Sequence, residues 1–503
     1  MMTSNSMLDT AFSHTLFEAA SQAWRDDMSA HFCRMCRGET SVLNWQDPLE
    51  LIRQAESFLI ESVIDRPFLD QSISAHAAEQ LVVDRIRSLL RKMLSAGQNL
   101  HHPHYIGHQV AASVPIAGLF DAVASITNQG MAIFEMGPWA TAVDHAIVRA
   151  LCAKVGWNPD ESSGLVTHGG SIANLTALLT ARNVVMPASW EEGVSPNAVL
   201  IVHPDAHYCV ARSAGILGLG TKQVIRAEMD SEGRLDAVSL DQKMQDLKQQ
   251  GKIIIAVSAC ACTTPTGTFD RLHELADVCH RNSVWLHVDA AHGGGLLMSR
   301  SYRHHLSGIE RADSVVWDAH KMLFVPALCA AVLYRNAAHR FATFQQNAPY
   351  LFDPSAPGMA DIDSGMRTLE CTKRAAGFGL WGLWSVFGET IFEQLVDRTI
   401  GLARTLHTIL KSAADFEPVN DPECNIVVFR YIPDRLRGAS LEDIDRLQRE
   451  LRTVLIRSGQ FYIVQTTFRG RAVLRTVVMN PMTTEDDFLE LLEAIRNVDR
   501  QRG

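Results

Sequence analysis

The sequence contains no block of lysines and arginines of the kind that follows a nucleic-acid backbone or an anionic membrane surface. Its 56 acidic and 46 basic residues are spread along 503 residues and give a formal net charge of -10. A dispersed, slightly acidic charge attracts neither kind of polyanion. We therefore expect neither nucleic acid nor membrane among the partners of this protein.

A membrane span and a secretion signal are also missing. The longest apolar run, MLFVPALCAAVLY, is too short to cross a bilayer and contains a proline. The beginning, MMTSNSMLDTAFSHTLFEAA, lacks the basic stretch and the apolar stretch of a signal peptide. These absences predict a cytoplasmic protein.

The ten cysteines have the spacing of neither a disulfide framework nor a complete metal site. Cys260, Cys262 and Cys329 stand inside apolar runs, as small core residues of a reduced protein do. Cys33 and Cys36 form one CxxC pair, but no second pair follows at the spacing of a zinc finger. The histidine-rich stretch HHPHYIGH has no carboxylate or thiol beside it and is more typical of a turn near a polar pocket. We predict no metal site.

The chain is long and apolar enough for two or three domains, because 47 % of its residues are hydrophobic. The stretch AAEQLVVDRIRSLLRKML has helical periodicity and predicts an amphipathic helix within a helical N-terminal segment, 1–105. Its predicted apolar face consists of Leu81, Ile86, Leu89, Leu90 and Met93.

Short apolar strands alternate with helical stretches between about Ser163 and Asn336. The strand candidates are NAVLIVH, KQVIR, KIIIAVSA, SVWLHVDAA and DSVVWDA. Continuous apolar strands separated by helices predict a mainly parallel sheet covered on both faces, which is an α/β fold. Beyond about Gly377, one long helical run precedes separate strand and helix patterns. We therefore predict a large domain, 106–376, and a smaller α+β domain, 377–503.

Two features of the large domain lie where open α/β sheets bind ligands, at the ends of strands. The glycines of THGGSIANLTALLTAR open a helix, and the free N–H groups there can hold a phosphate. The alternative for these glycines is a tight turn from strand to helix. His207 follows the strand NAVLIVH and is either a turn histidine or a flat ring that stacks on a cofactor ring.

Two further strand ends carry an aspartate and a lysine. Asp289 ends the strand in SVWLHVDAA, where a carboxylate either caps a turn or holds a proton on a pyridine nitrogen. Lys321, in VVWDAHKMLFVP, is either a surface residue or an amine that condenses with an aldehyde. A phosphate cradle, a histidine, an aspartate and a lysine in this order are the parts that pyridoxal 5'-phosphate requires. We predict this cofactor.

The same stretches resemble the group II pyridoxal-phosphate-dependent amino acid decarboxylases, which include glutamate, cysteine sulfinate, aromatic amino acid and 2,4-diaminobutyrate decarboxylases. The resemblance rests on GGSIANLTAL, HVDAAHGGGLLMS, DSVVWDAHKMLFVP and AVLRTVVMNP, and it extends from about Ala77 to the C-terminus. It implies a fold-type I enzyme with a mainly parallel seven-stranded sheet. It also implies a homodimer whose active site is completed at the interface, and α-decarboxylation of an L-amino acid to an amine and CO2.

The resemblance further implies which residues hold the cofactor. Lys321 would carry it through the side-chain amine, and Asp289 would pair with the pyridine nitrogen. His207 and Ala291 would lie against the two faces of the ring. The expected contacts to the phosphate and the ring edge are Gly170, Ser171, Thr264 and His320.

Four other residues are implied to act on the substrate. Tyr350, in NAPYLFDP, matches a loop tyrosine that crosses to the neighbouring subunit and protonates the α-carbon. A tyrosine there favours decarboxylation over transaminase or lyase chemistry. Arg475, in VLRTVV, matches an arginine that holds a carboxylate, and His108 and Asn128 are expected to face the substrate pocket.

Three residues depart from the pattern of the family. Asp318 replaces an asparagine found in many relatives, Cys262 replaces a glycine, and His292 replaces an aromatic residue. The motifs are most similar to the glutamate and cysteine sulfinate branch, so we expect an acidic amino acid as substrate. A 2,4-diaminobutyrate or aromatic amino acid decarboxylase remains the alternative, as does another fold-type I enzyme.

Overall fold

The computed structural model describes residues 7–60, 74–344 and 361–501, and these residues form thirteen strands. In chain order they are β1 (Gly130–Met131), β2 (Ser163–Thr167), β3 (Ala198–Val202), β4 (Val224–Arg226), β5 (Ile253–Cys260), β6 (Leu286–Asp289), β7 (Ser314–Asp318), β8 (Ala330–Tyr334), β9 (Lys373–Arg374), β10 (Phe416–Pro418), β11 (Ile426–Tyr431), β12 (Val464–Phe468) and β13 (Arg471–Val477).

Seven of these strands form the central sheet, in the order β2-β8-β7-β6-β5-β3-β4. The strands from β7 to β4 are parallel to one another, and β8 is antiparallel to both of its neighbours, β2 and β7. The prediction of a mainly parallel seven-stranded sheet in an α/β fold is confirmed. Parallel neighbours end at the same edge, so the residues after β5, β6 and β7 come close together.

Helices cover the sheet and form most of the rest of the chain. The described α-helices are Met7–Ala11, His14–Cys36, Pro48–Ile60, Ala75–Ala96, Pro115–Thr127, Pro138–Val155, Gly170–Val185, Ser189–Glu192, Tyr208–Ile216, Ala237–Gln249, Leu272–Arg281, Phe378–Phe387, Thr390–Ser412, Leu441–Ser458 and Glu485–Arg500. Short 3-10 helices lie at Phe134–Met136, Thr221–Gln223, Gly293–Met298, Arg303–Leu306, Ile309–Arg311, Ala337–Phe341 and Asp434–Leu436. None of the described helices is long and apolar enough to cross a bilayer.

Most strands of the sheet are rich in apolar residues because both faces of the sheet are covered. Every residue of β3, β7 and β8 is buried. In β3, Val199 and Ile201 pack into one hydrophobic cluster, and Leu200 and Val202 pack into another. Successive side chains of a strand point to opposite faces, so the two clusters are the cores on the two sides of the sheet.

Two helix predictions need correction in detail. The long helix expected after Gly377 is two helices, because Gly388 has a φ of 69° and ends the first of them. The N-terminal amphipathic helix is present, but its buried residues include Val83 and Leu90, whereas Leu81 is 38 % and Met93 71 % exposed. Helical periodicity gives the spacing of an apolar stripe but does not identify the neighbour that covers it.

By internal contacts the chain divides into two compact units. One comprises 1–107, 440–465 and 482–503, and the other comprises 108–439 and 466–481. The central sheet belongs entirely to the second unit. The three predicted domains, 1–105, 106–376 and 377–503, stay a prediction. A four-stranded antiparallel sheet, in the order β10-β11-β13-β12, forms from the C-terminal part of the chain.

A buried ion pair joins β9 to the helix Pro138–Val155 in the second unit. Lys373 donates to the carboxylate of Asp144 and, at 2.8 Å, to the carbonyl oxygen of Val166 in β2. The Lys373 side chain is 1 % and the Asp144 side chain 8 % exposed. Because little water reaches either side chain, each charge is stabilised mainly by the other.

We expect Lys373→Met to lower the free energy of unfolding by about 3–5 kcal/mol, because it leaves the Asp144 carboxylate buried without a counter-ion. The neighbouring Arg374 provides the control, since its pair with Asp121 is on the surface. Arg374→Met should cost no more than about 1 kcal/mol. Equal losses for both variants in urea denaturation would contradict the importance of the buried pair.

Candidate active site

The ends of the parallel strands open into a cavity of about 340 Å³. It lies within the second unit, between the turns that follow β2, β5, β6 and β7 and the first turn of the helix Gly170–Val185. Eight of the residues predicted to bind a cofactor line it: Gly170, Ser171, His207, Thr264, Asp289, Ala291, His320 and Lys321. The structure therefore brings together residues that are up to 151 positions apart in the sequence, which is the separation of Gly170 and Lys321.

The two glycines form the wall of the cavity at the start of this helix. Gly169 has a φ of 105°, which L-residues rarely adopt, and it turns the chain from β2 into the helix. Gly170 lies against Asp318, so that a Cβ there would stand 2.6 Å from the Oδ2 atom of Asp318. No side chain of residues 169 and 170 therefore covers the backbone where the free N–H groups of the helix begin. Exposed N–H groups at the start of a helix bind anions.

A buried network anchors this helix to the sheet. Asn174 donates to the carbonyl oxygen of Gly170 at 2.9 Å and bonds the Nε2 atom of His287 at 2.8 Å. The Nδ1 atom of His287 bonds the hydroxyl of Ser314 at 2.9 Å. Burial lowers the pKa of His287 to about 4, so the ring is neutral and acts as a rigid link. The sequence analysis missed both Asn174 and His287.

Lys321 follows β7 in a turn and points into the cavity. Its Nζ atom lies 3.2 Å from the Oδ2 atom of Asp318, and its side chain is 20 % exposed. Burial alone would lower the pKa of this ammonium group. The carboxylates of Asp318 and Asp289 outweigh that effect and raise the pKa of Lys321 above the ordinary lysine value. The amine is held as a protonated, paired group in a mostly closed space.

Asp289 and His207 line the same cavity as this lysine. Asp289 ends β6 and accepts a hydrogen bond from the Ala291 N–H at 3.1 Å. His207 caps the helix Tyr208–Ile216, where its Nδ1 atom accepts from the Cys209 N–H at 3.3 Å. Burial is the main cause of a lowered pKa at His207, and the charge of Lys321 adds to it. The imidazole is therefore a flat, neutral ring beside two charged groups.

His320 is fixed by the strand beside it. Its Nδ1 atom bonds the carbonyl oxygen of Cys329 at 2.8 Å, and its Nε2 atom lies 3.6 Å from the Oδ2 atom of Asp318. Only 8 % of the residue is exposed. The ring thus presents one nitrogen to the same carboxylate that holds Lys321.

His292 contributes an unused acceptor to the cavity wall. Its Nε2 atom bonds the Oδ1 atom of Asn425 at 2.7 Å, and Asn425 donates to the carbonyl oxygen of Val478. Asn425 therefore accepts from His292, which leaves the Nδ1 atom as a buried acceptor without a partner among the described residues. Burial, with the charges of Lys321 and Arg475, lowers the pKa of His292 to about 3.

Arg475 is a buried guanidinium group on β13. It is 5 % exposed, and its Nε and Nη2 atoms have no hydrogen-bond partner among the described residues. Burial lowers its pKa to about 10, and the cavity-lining Cys262 is close enough to affect it. A buried guanidinium whose donors lack partners is stabilised when a carboxylate or a similar anion binds to it.

Four predicted site residues are not among the described residues that line this cavity, and one of them is the buried Arg475. His108 and Asn128 are exposed and do not line it, and their role toward a substrate stays a prediction. Tyr350 lies outside the described residues. The departures from the family pattern, in contrast, all line the cavity: Cys262, His292 and Asp318.

The cavity fits pyridoxal phosphate, as judged from the residues present. It offers a bare helix start for a phosphate, the Lys321 amine for an aldehyde, and the Asp289 carboxylate for a pyridinium nitrogen. The absence of a side chain at residue 170 lets the helix start lie directly against the Asp318 carboxylate. Lys321, Asp289, His207, Gly170 and Ser171 are the residues that would hold the cofactor.

Comparisons with known proteins agree with this site. A family model described as "Pyridoxal-dependent decarboxylase conserved domain" matches residues 65–432. The solved structure of mouse CSAD is 28 % identical, with a TM-score of 0.86 over 97 % of this chain and 99 % of that chain.

Two other solved structures support the fold alone, because their identity is lower. Oryza sativa TDC with PLP and tryptamine is 21 % identical, with a TM-score of 0.85 over 98 % of this chain and 99 % of that chain. The glutamate decarboxylase domain of diaminobutyrate-pyruvate transaminase and L-2,4-diaminobutyrate decarboxylase from Vibrio parahaemolyticus is 22 % identical, with a TM-score of 0.80 and 96 % coverage of both chains.

We expect Gly170→Ala to weaken the binding of pyridoxal phosphate about tenfold or more, because the new Cβ would displace Asp318 or the helix start at a cost of about 1–3 kcal/mol. Absorbance titration of the cofactor-free protein measures this affinity. Gly401→Ala is the matched control, since its Cβ would meet nothing within 4 Å. Unchanged affinity in the Gly170 variant would show that the cofactor phosphate lies elsewhere.

Proposed function

The chain belongs to the pyridoxal-dependent decarboxylase family and is a pyridoxal-phosphate-dependent amino acid decarboxylase, and we propose that its substrate is an acidic amino acid of the glutamate, aspartate or cysteine sulfinate type. The observation that carries this proposal is the chemistry of the cavity wall. Among the described residues that line the cavity, the carboxylates are Asp289 and Asp318, both of which face the groups expected to hold the cofactor. A cationic side chain, such as that of diaminobutyrate, would find no further carboxylate there.

An aromatic substrate finds equally little support. The described lining contains no phenylalanine, tyrosine or tryptophan, and consists largely of polar side chains, glycine and cysteine. Aromatic rings are usually bound by apolar and aromatic surfaces. Arg475 lies outside this lining, but its buried guanidinium has two donors without a partner among the described residues, and we propose that a substrate carboxylate pairs with them.

The proposed roles of the residues follow from their positions. Pyridoxal phosphate, when bound, supplies an electron sink for the electron pair of the bond between the α-carbon and the carboxylate. Lys321 provides the amine that attaches the cofactor, and for this it must give up the proton that Asp318 and Asp289 now stabilise. Asp289 then holds a proton on the pyridine nitrogen, and His207 packs its neutral ring against the cofactor.

The remaining steps concern the substrate. Arg475 holds a substrate carboxylate, and Tyr350 returns a proton to the α-carbon after CO2 has left. We propose that the protein is a homodimer in which Tyr350 of one subunit serves the site of the other, as the family resemblance implies. Ala291, Thr264, Ser171 and His320 complete the cofactor contacts. A cytoplasmic location stays a prediction from the sequence.

A panel of amino acids tests the substrate class. The holoprotein should release CO2 from at least one of L-glutamate, L-aspartate and L-cysteine sulfinate with a higher kcat/KM than from L-2,4-diaminobutyrate, L-tyrosine or L-tryptophan. Lys321→Ala, which lacks the attaching amine, should be inactive with all of them. A preference for diaminobutyrate or an aromatic amino acid would reject the acidic substrate and leave decarboxylation intact.

The arginine gives this experiment a structural arm. With the preferred substrate, Arg475→Met should lower kcat/KM about ten- to a hundredfold, because a hydrogen bond to a charged group contributes about 1.5–3 kcal/mol. Arg469→Met is the control, since Arg469 bonds the carbonyl oxygen of Ser231 at an exposed position. An Arg475 variant with the kinetics of the wild type would exclude Arg475 as a substrate ligand.

A further inference from the structure

Asp318 occupies an unusual position for a carboxylate, because it lies where a negatively charged group is expected to bind. It ends β7, is 2 % exposed, and lines the same cavity as Gly170, Ser171 and His320. Its Oδ2 and Oδ1 atoms would stand 2.6 and 2.8 Å from a Cβ at residue 170, so the carboxylate lies directly against the start of the helix Gly170–Val185. A cofactor phosphate held by Gly170, Ser171 and His320 would therefore lie beside this carboxylate.

The carboxylate has little freedom to turn away. The Asp318 N–H donates to the carbonyl oxygen of Ala291 at 3.1 Å, and Asp318 pairs with Ala330 in the ladder between β7 and β8. Every residue of β7 is buried, so other directions lead into the packed core or toward the cavity. The Oδ1 atom is buried and has no hydrogen-bond partner among the described residues. An unused oxygen that is fixed at a ligand site is available to the ligand.

The charges around Asp318 explain how it is tolerated before the cofactor binds. From its own turn, Lys321 lies 3.2 Å and His320 3.6 Å from its Oδ2 atom. The turn after β6 adds the Asp289 carboxylate and His292, whose pKa is lowered to about 3 by burial. Lys321 is thus the neighbour whose raised pKa marks it as the counter-ion of Asp318.

Among the described residues, the other elements that line the cavity add no compensating cation of that kind. The start of the helix Tyr208–Ile216 contributes His207, whose pKa burial lowers, and Cys209, whose thiol pKa burial raises. Both are neutral groups at pH 7. His168, from the turn after β2, bonds the carboxylate of Glu370 at 3.1 Å instead. The end of β5 contributes the buried thiols of Cys260 and Cys262, which are also neutral because burial raises their pKa.

Attachment of the cofactor changes this balance. The Lys321 nitrogen would then be bonded to the cofactor aldehyde carbon, and a phosphate group would enter beside Asp318 with about two negative charges, which one positive charge on that nitrogen does not balance. Two like charges in a space of low dielectric cost far more than in water. An amide at this position would donate N–H to the phosphate, but a carboxyl group can donate only when it is protonated.

We propose that Asp318 carries a proton when the cofactor phosphate is bound, so that it donates an O–H hydrogen bond to the phosphate, and that cofactor binding is coupled to the uptake of this proton. The proton comes from solvent and is released again when the cofactor leaves. Asp318 is accordingly a positioning residue that contacts the cofactor and makes cofactor affinity dependent on pH. The inference depends on the cofactor and is independent of the proposed substrate.

The sign of the pH dependence follows from the direction of proton transfer. Because binding takes up a proton at Asp318, a rise in pH disfavours the bound state of the wild type. Asp318→Asn always presents a donor and needs no proton. The ratio of the wild-type Kd to the variant Kd for pyridoxal phosphate should therefore grow with pH, by up to about tenfold per pH unit for one proton.

Calorimetric proton counting tests the coupling directly. The cofactor-free wild type and Asp318→Asn are titrated with pyridoxal phosphate and with pyridoxal at about pH 8, where a free phosphate ester is a dianion. Titrations in two buffers of different ionisation enthalpy give the protons taken up. Both ligands attach to Lys321, so the difference between them removes the contribution of the lysine. Asp160→Asn, at a side chain that is 77 % exposed, is the control for the substitution itself.

For each protein, the number of protons taken up with pyridoxal is subtracted from the number taken up with pyridoxal phosphate. We expect this difference to be larger by about one proton in the wild type than in Asp318→Asn. Asp160→Asn should behave as the wild type. If the two differences are equal in the wild type and in Asp318→Asn, Asp318 does not take up the proton and the proposal is wrong.

A second measurement needs no variant at Asp318 and covers the case that Asp318→Asn does not fold. Infrared difference spectra of wild-type protein with carbon-13-labelled aspartate should show a new protonated-carboxyl band when pyridoxal phosphate binds. Pyridoxal, which lacks the phosphate, should not produce the band. Absence of the band with pyridoxal phosphate would overturn the proposal.

Discussion

The structure of the site depends on one constraint, which is that a lysine ammonium group and two carboxylates meet at the edge of a sheet where little water reaches them. Lys321, Asp318 and Asp289 come from the ends of β6 and β7, which are adjacent parallel strands. Parallel neighbours end at the same edge, so the topology holds the three charges together without long loops. The carboxylates raise the pKa of the Lys321 amine and so favour its protonated form. Their buried strands are the rigid support.

Much of this arrangement could be predicted from the sequence, because the chemistry-bearing residues follow recognisable strands. The prediction that Lys321, Asp289, His207 and Gly170 belong to one cavity needed only the α/β pattern and their order. The contact between Asp318 and Gly170 could not be predicted in the same way, since it joins β7 to a helix start 148 positions earlier and depends on packing. The side chains of asparagine and aspartate have almost the same shape. The effect of a negative charge at Asp318 can therefore be judged only from the groups that surround it in the structure.

The residues predicted to act on the substrate were harder to assess from the sequence for a different reason. The motif around Arg475 pointed to it, but its donors without a partner become visible only when its burial is known. His108 and Asn128 belong to local patterns that resemble pocket residues, yet the fold leaves both exposed. Sequence similarity identifies backbone positions, whereas a pocket is formed by the packing of side chains around them.

The most direct measurement for the whole account is the chemical identification of the lysine that carries the cofactor. Borohydride reduction of the holoprotein fixes the cofactor to its lysine, and peptide mass spectrometry locates the label. The account predicts a single pyridoxyl phosphate group on Lys321, in the peptide that also contains Asp318. A label on another lysine, or none on Lys321 at full cofactor occupancy, would contradict it.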